Sequence, residues 1–308
     1  MADPILLFTG EELRRAGAMM NPLDVLAEEL VAPGASAGVP GAAAYWCTLT
    51  PWTPADAGTD AGNVTETLVL CELSGTGDRS LMPAEMLRLL GAAALTALAV
   101  RELLGPGLIT ACVLGSGLAA EVQLAVNAQH TRDISHVAVW PGGTTDAAPL
   151  DPRVLDQLEL AGARLTSTAS VEQALFGANL VIVTGDVGDA PTGTHLAKGA
   201  LVVNAAGLEL PAGFADGAQV HLVDDARLLT GAPDPQMYLD LGATAAGRHD
   251  ARPVDADLGQ VLTGLHRGRP HLDAIVVVEL LSAGLLILPL AGRLHQLARR
   301  LGLGRPVG

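Results

Sequence analysis

A short apolar run, Ile109 to Leu114, leads directly into Gly115-Ser116-Gly117-Leu118-Ala119-Ala120-Glu121 and on into a helical stretch. No other feature of the chain constrains its fold as tightly. A strand that becomes a helix through a G-x-G-x-x-A turn is the opening of a Rossmann-type βαβ unit. Gly115 permits the tight turn, Gly117 leaves no side chain where a pyrophosphate must approach, and the small Ala120 lets the helix lie close to the strand. The first turn of that helix presents unpaired N–H groups to an anion. The contacts expected for a dinucleotide therefore run through Gly115, Ser116, Gly117, Leu118 and Ala119, with Thr184, Gly185, Asn204 and Ala205 at the ends of later strands.

Beyond Leu108 the chain repeats short apolar strands with helices between them, the pattern of a parallel sheet with crossover helices. Strands are expected at Ile109 to Leu114, His136 to Trp140, Arg164 to Thr166, Leu180 to Thr184, Leu201 to Asn204 and Gln219 to Val223. Helices are expected at Leu118 to Ala128, Pro152 to Ala161 and Val171 to Phe176. The first hundred residues read differently, as a mixed domain. Thr9 and Glu12 form a capping box at the start of a short helix, a second helix covers Pro22 to Val31, and two strands cover Ala44 to Thr48 and Thr67 to Leu73. A long Ala/Leu helix over residues 84–104 stops at Gly105-Pro106-Gly107, the best linker in the chain. The last helical segment, Leu280 to Leu301, is expected to cross back onto the first domain.

Composition narrows the function. The chain carries 18 Lys plus Arg against 33 Asp plus Glu, a net charge of −15, with no basic run to neutralise phosphates, so a nucleic-acid partner is not expected. Lys198 is the only lysine, which excludes lysine chemistry at every other position. The segment Ala274 to Leu294 is apolar but contains Glu279 and Pro289, and reads as a buried strand and helix rather than a membrane span. The start lacks a basic region before an apolar stretch, and Cys47, Cys71 and Cys112 show no CxxC spacing, so reduced cysteines and a cytoplasmic location are expected. The eight histidines form no HxH or HExxH spacing, and no metal site is expected.

A Rossmann second strand usually ends in an acid that reads the ribose hydroxyl. Here it ends Trp140-Pro141-Gly142-Gly143-Thr144-Thr145, with neither an acid nor an Arg for a 2′-phosphate, so NAD and NADP are not distinguished.

GSGLAAEVQLAV, SVEQALFGANLVIVTGD, GALVVNAAGLELP, DLGQVLTGLHRGRP and LARRLGLG, in that order and spacing, resemble the ornithine cyclodeaminase/mu-crystallin family over nearly the whole chain from Leu6. The resemblance implies an α/β fold in which a Rossmann-like NAD(P)-binding domain, residues 107–270, is inserted into a mixed α+β substrate and dimerisation domain, residues 1–106 plus 271–308. It also implies a homodimer that moves a hydride between nicotinamide and the α-carbon of an amino or imino acid. On the family's pattern, Glu209 in Asn204-Ala205-Ala206-Gly207-Leu208-Glu209 takes the place of the catalytic aspartate, one methylene longer.

The departures are as informative as the matches. The family's Arg-Thr-Ala-Ala element, whose arginine holds the substrate carboxylate, is Gly91-Ala92-Ala93-Ala94 here; Arg88 lies one turn earlier. The family's lysine falls near Tyr45-Trp46-Cys47, and a further arginine near Pro40-Gly41-Ala42 is also missing. A pocket of Tyr45, Trp46, Arg88 and Gly91 suits a free amino acid poorly, because an unpaired carboxylate is costly to bury. The expected activity is an NAD(P)-dependent imine reductase acting on a non-standard small-molecule substrate, as in secondary metabolism. Two alternatives stand beside it: an inactive family member serving as a binding or partner protein, and an amino-acid cyclodeaminase or dehydrogenase whose carboxylate site is rebuilt on Arg88 or Arg79.

Overall fold

The computed structural model describes residues 5–32, 45–52, 66–73, 78–142, 149–188, 196–208, 210–211, 213–214, 217–226, 253–281 and 286–307. Their order is β1 (Ile5–Leu7), α1 (Gly10–Ala18), α2 (Pro22–Val31), β2 (Tyr45–Trp52), β3 (Glu66–Leu73), β4 (Arg79–Pro83), α3 (Ala84–Leu103), β5 (Ile109–Leu114), α4 (Gly117–His130), β6 (Ile134–Trp140) and α5 (Pro152–Leu160). Then follow β7 (Arg164–Ser167), α6 (Val171–Leu175), β8 (Leu180–Val183), β9 (Leu201–Asn204), β10 (Val220–Val223), β11 (Ala256–Asp257), α7 (Leu258–Leu262), β12 (Val276–Glu279), α8 (Ile287–Arg300) and β13 (Arg305–Val307). Two compact units emerge, one drawn from Met1–Gly91 and Ala283–Gly308, the other from Ala92–Pro233 and Ala243–Ser282.

The second unit is built on an eight-stranded sheet in the order β11-β10-β12-β9-β8-β5-β6-β7, every neighbouring pair parallel. Strands buried on both faces must be apolar throughout, and LVIV of β8, LVV of β9 and VVV of β12 meet that demand with β-branched residues that suit a pleated backbone. One face gathers Cys112, Leu114, Val181, Val183, Val202 and Val277 beneath Ala174 and Leu175 of α6 and the wholly buried Phe214. Cys71 and Cys112 are both buried, and burial pushes the Cys112 thiol far above its ordinary range.

The unit boundaries differ from those read off the sequence. Helix α3 carries the first one inside it, after Gly91; its middle stretch, Leu89 to Val100, is apolar but for Thr96, and Leu87, Ala93, Ala94, Leu95 and Leu98 are completely buried. The second falls after Ser282 rather than at Pro270, because β12 pairs between β9 and β10 and so belongs to the large sheet. Arg269 fastens the approach to β12, its guanidinium donating to the carbonyls of Leu103 and Ala274 and so closing the C-terminus of α3.

The first unit holds the sheet β13-β1-β4-β3-β2, in which only β1 and β4 run parallel. Helix α8 packs on α1 and α2 and against β2 and β3. The capping box forms as expected: Thr9 accepts the Glu12 N–H at 3.2 Å while a Glu12 carboxylate oxygen accepts the Thr9 N–H at 2.8 Å. The other carboxylate oxygen accepts the Gly304 N–H at 3.0 Å, tying α1 to the segment before β13. Burial raises the Glu12 pKa, but these N–H donors outweigh it and hold the carboxyl below its ordinary value. Deeper in the unit, Ser80 Oγ and His295 Nδ1 lie 2.6 Å apart, both residues almost wholly buried, and Arg299 pairs with Asp78 nearby. Among the described residues no helix is long and apolar enough to cross a membrane.

Two outcomes follow for stability. Replacing Glu12 by Ala removes the box and the link to Gly304 and should cost about 1 kcal/mol or more in chemical denaturation. Burial, with help from Arg299 and against the pull of Asp78, lowers the His295 pKa. The stability that depends on a neutral His295 is thus complete above about pH 6.5 and is lost as pH falls below that value. Unfolding free energy measured from pH 7 down to 5 should decline, and His295→Gln should flatten that decline; an unchanged slope would rule the pair out as its source.

Candidate functional site

The glycine turn is set at the C-terminal edge of the large sheet. Gly115 adopts φ +135° and donates its N–H to the Trp140 carbonyl at 2.9 Å. A Cβ at Gly115 would strike Thr184 Oγ1 and stand 2.9 Å from the Gly185 nitrogen. The missing side chain is what lets the β5–α4 turn lie against the end of β8. Thr184 reinforces the approach, its N–H and its hydroxyl both donating to the Leu114 carbonyl, at 2.8 and 3.2 Å.

Gly117 is the counterpart, with φ +69° and nothing within 4 Å of where a Cβ would stand. Among the described residues, only open space lies over it. Ser116 occupies the N-cap with extended backbone, and its side chain makes no capping hydrogen bond. Ser116, Gly117 and Leu118 are exposed and Ala119 partly so, while Ala120 is completely buried against the sheet. No acidic residue sits in the first turn of α4, and Glu121 is drawn aside, accepting the Asp151 N–H at 3.0 Å. A 14-residue helix thus ends in unsatisfied, uncompensated N–H groups at an open surface, and the residues present fit an anionic diphosphate.

The parallel ladders set Trp140, Leu114, Val183, Asn204, Glu279 and Val223 at one level across this edge. The first three continue the apolar core and the next two are polar. Asn204 is 2% exposed. Its Nδ2 donates to the Leu208 carbonyl at 2.7 Å, bending the chain after β9 back on itself, and its Oδ1 has no hydrogen-bond partner among the described residues. Glu279 Oε1 and His221 Nε2 are 3.0 Å apart, and His221 Nδ1 is buried without a hydrogen-bond partner among the described residues. Asp224, wholly buried, accepts the N–H groups of Leu281 at 2.9 Å and Asp225 at 3.0 Å, holding the chain that leaves β12. Among the described residues no group of three or more His, Cys, Asp or Glu could hold a metal ion.

Of the residues singled out from sequence, Gly115, Ser116, Gly117, Leu118, Ala119, Trp140, Thr184, Gly185, Asn204 and Ala205 all belong to the turn or the adjoining strand ends of the second unit. Glu209 lies outside the described residues, as do Gly143, Thr144 and Thr145. Tyr45 and Trp46 open β2, paired with Leu73 and Glu72, while their side chains and that of Cys47 lie outside the description. Gly91 is buried in α3 of the first unit. Arg88 donates to Glu85 through both Nε, at 2.9 Å, and Nη2, at 2.7 Å, so its guanidinium is engaged within its own helix. Lys198 is exposed in the turn before β9, at the opposite edge of the sheet from Asn204. Sequence reasoning missed the Glu279–His221 pair: the two lie 58 positions apart and meet only through the pairing of β10 with β12.

Solved structures bear the same fold over almost their whole lengths. CmnK superposes with a TM-score of 0.70 at 19% identity, covering 99% of this chain and 98% of that one. The Δ1-pyrroline-2-carboxylate reductase of Thermococcus litoralis, solved with NADH and L-proline, gives 0.68 at 16% identity over 98% and 100%. The iminosuccinate reductase of Paracoccus denitrificans, solved with NAD+, gives 0.68 at 16% identity over 99% and 100%. No curated protein matches the sequence. The model of the ornithine cyclodeaminase/mu-crystallin family matches residues 29–288, and the chain belongs to that family.

Proposed function

We propose that the protein is an NAD(P)-dependent oxidoreductase, an imine reductase by reaction, whose substrate lacks a free α-amino carboxylate or presents it differently. The observation that carries this reading is the open cradle at Gly117 above an uncapped helix N-terminus. When bound there, the nicotinamide cofactor supplies or accepts the hydride. The backbone N–H groups of Gly117, Leu118 and Ala119 would hold its pyrophosphate, and Gly115 keeps Thr184 and Gly185 against the turn, beside Trp140 at the end of the neighbouring strand. Asn204 fixes the segment through Leu208, and Glu209, the next residue, is the proposed proton relay to the imine or amine nitrogen.

The substrate inference rests on missing cations. Gly91 replaces the arginine that the family pattern expects, Lys198 is the only lysine and stands at the far edge of the sheet, and Arg88 is engaged by Glu85. A buried carboxylate without such a partner costs several kcal/mol, on the order of its whole binding energy. The same losses support a second reading, a non-catalytic family member that keeps the fold as a binding or partner protein. A cytoplasmic homodimer completes the proposal.

Fluorescence titration should show binding of NADH, NADPH or both, and Gly117→Val, which fills the cradle, should weaken it roughly tenfold or more with the circular dichroism unchanged. No binding of either nucleotide would sink the oxidoreductase reading. With Δ1-pyrroline as substrate, NAD(P)H oxidation should fall roughly 10²- to 10⁴-fold in Glu209→Gln while nucleotide affinity is kept. Nucleotide binding without turnover of any cyclic imine would favour the second reading.

A further inference from the structure

The edge of the large sheet where its strands begin, opposite the glycine turn, is apolar and open. Leu108, Leu160, Phe176, Leu265 and Leu272 are between 72% and 88% exposed, the five most exposed large apolar residues among the described ones. Each lies in a turn that feeds a strand: Leu265 and Leu272 before β12, Phe176 before β8, Leu108 before β5 and Leu160 before β7. Hydrogen bonds join these turns side by side. The Gly199 N–H donates to the Asp273 carbonyl at 3.0 Å, the Leu201 N–H to the Asn179 carbonyl at 2.9 Å, Asn179 Nδ2 to the Leu108 carbonyl at 3.0 Å and the Ile109 N–H to the Asp133 carbonyl at 2.8 Å. Together the five side chains hold open apolar area on the order of the 800 Å² that each partner of a stable interface buries. Single stray apolar residues are ordinary on a surface, but a shared row of them marks a contact.

The exposed charges of the same turns enter no ion pair among the described residues: Arg267 and Asp273 before β12, Lys198 before β9, Asp133 before β6, and Glu159 and Arg164 at the turn into β7. In sheet order the row runs β12-β9-β8-β5-β6-β7. A two-fold axis normal to the sheet, between β8 and β5, sets a second row over the first with β12 facing β7, β9 facing β6 and β8 facing β5. Lys198 then meets Asp133, Arg267 meets Glu159, Asp273 meets Arg164 and Phe176 meets Leu108, while Arg132 and His271 are left without counterparts. An axis lying in the sheet would instead set Lys198 on Lys198 and Arg267 on Arg267, like charge on like.

We propose that this edge is an isologous contact between two copies of the chain, packed about the axis normal to the sheet. A chain of net charge −15 repels its own copy, and a face where both signs interleave around an apolar centre relieves that repulsion. The proposal stands apart from the oxidoreductase reading and gives the proposed homodimer a contact face on the second unit.

Sedimentation velocity of the whole protein at micromolar concentration tests this. Wild type should be an assembly of two or more copies. Phe176→Glu should halve its mass, from four copies to two or from two to one, with circular dichroism unchanged because the side chain is exposed in the single chain. Arg267→Glu and Glu159→Arg should each weaken association roughly tenfold or more, and both changes in one chain should restore it. A monomeric wild type, an unchanged mass in Phe176→Glu, or no recovery in the paired exchange would overturn the contact. Should Phe176→Glu fail to fold, the Arg267 and Glu159 exchange decides alone. A dimer whose mass no variant changes would overturn this face and leave the homodimer reading standing on another surface.

Discussion

The closeness with which the β5–α4 turn lies against the end of β8 governs the C-terminal edge of the large sheet. That closeness exists because Gly115 has no Cβ: any side chain there would collide with Thr184 and Gly185. The turn delivers the start of α4 to the edge with its N–H groups facing outward, and Gly117 leaves the ground before them open. Because every neighbouring pair in the sheet is parallel, the ends of β6, β5, β8, β9, β12 and β10 all arrive at this one edge. A ligand laid along it meets apolar residues over Trp140, Leu114 and Val183 and polar ones over Asn204 and Glu279.

This asymmetry joins binding to chemistry. The apolar side suits the packed, uncharged part of a dinucleotide, and the polar side supplies groups that can hold or move a proton. Asn204 spends one half of its amide on the loop that leads to Glu209 and keeps the other half without a partner among the described residues, an arrangement that costs stability. Such costs concentrate where function requires them.

Much of this was legible in the sequence because it is local. The turn from Ile109 to Ala120, the capping box of Thr9 and Glu12, and the buried runs of β8 and β9 each carry their signal within a few residues, and each forms where expected. What escaped was nonlocal. β1 and β13 have three residues each, too few to show alternation, and exist because Glu12 and Gly304 bring their surroundings together. The place of β12 between β9 and β10 moved the unit boundary from Pro270 to Ser282, since an apolar run does not announce its neighbours. Glu279 and His221 gave no pattern at all, as their contact is a property of strand order.

A dinucleotide seated at the start of α4 is the premise of the proposed chemistry, and backbone hydrogen exchange measured with and without nucleotide tests that most directly. NADH or NADPH should slow exchange at the amides of Gly117, Leu118 and Ala119, whose hydrogens have no helical acceptor of their own, and in the segment leaving Asn204. Unchanged exchange at the start of α4 under saturating nucleotide would contradict it.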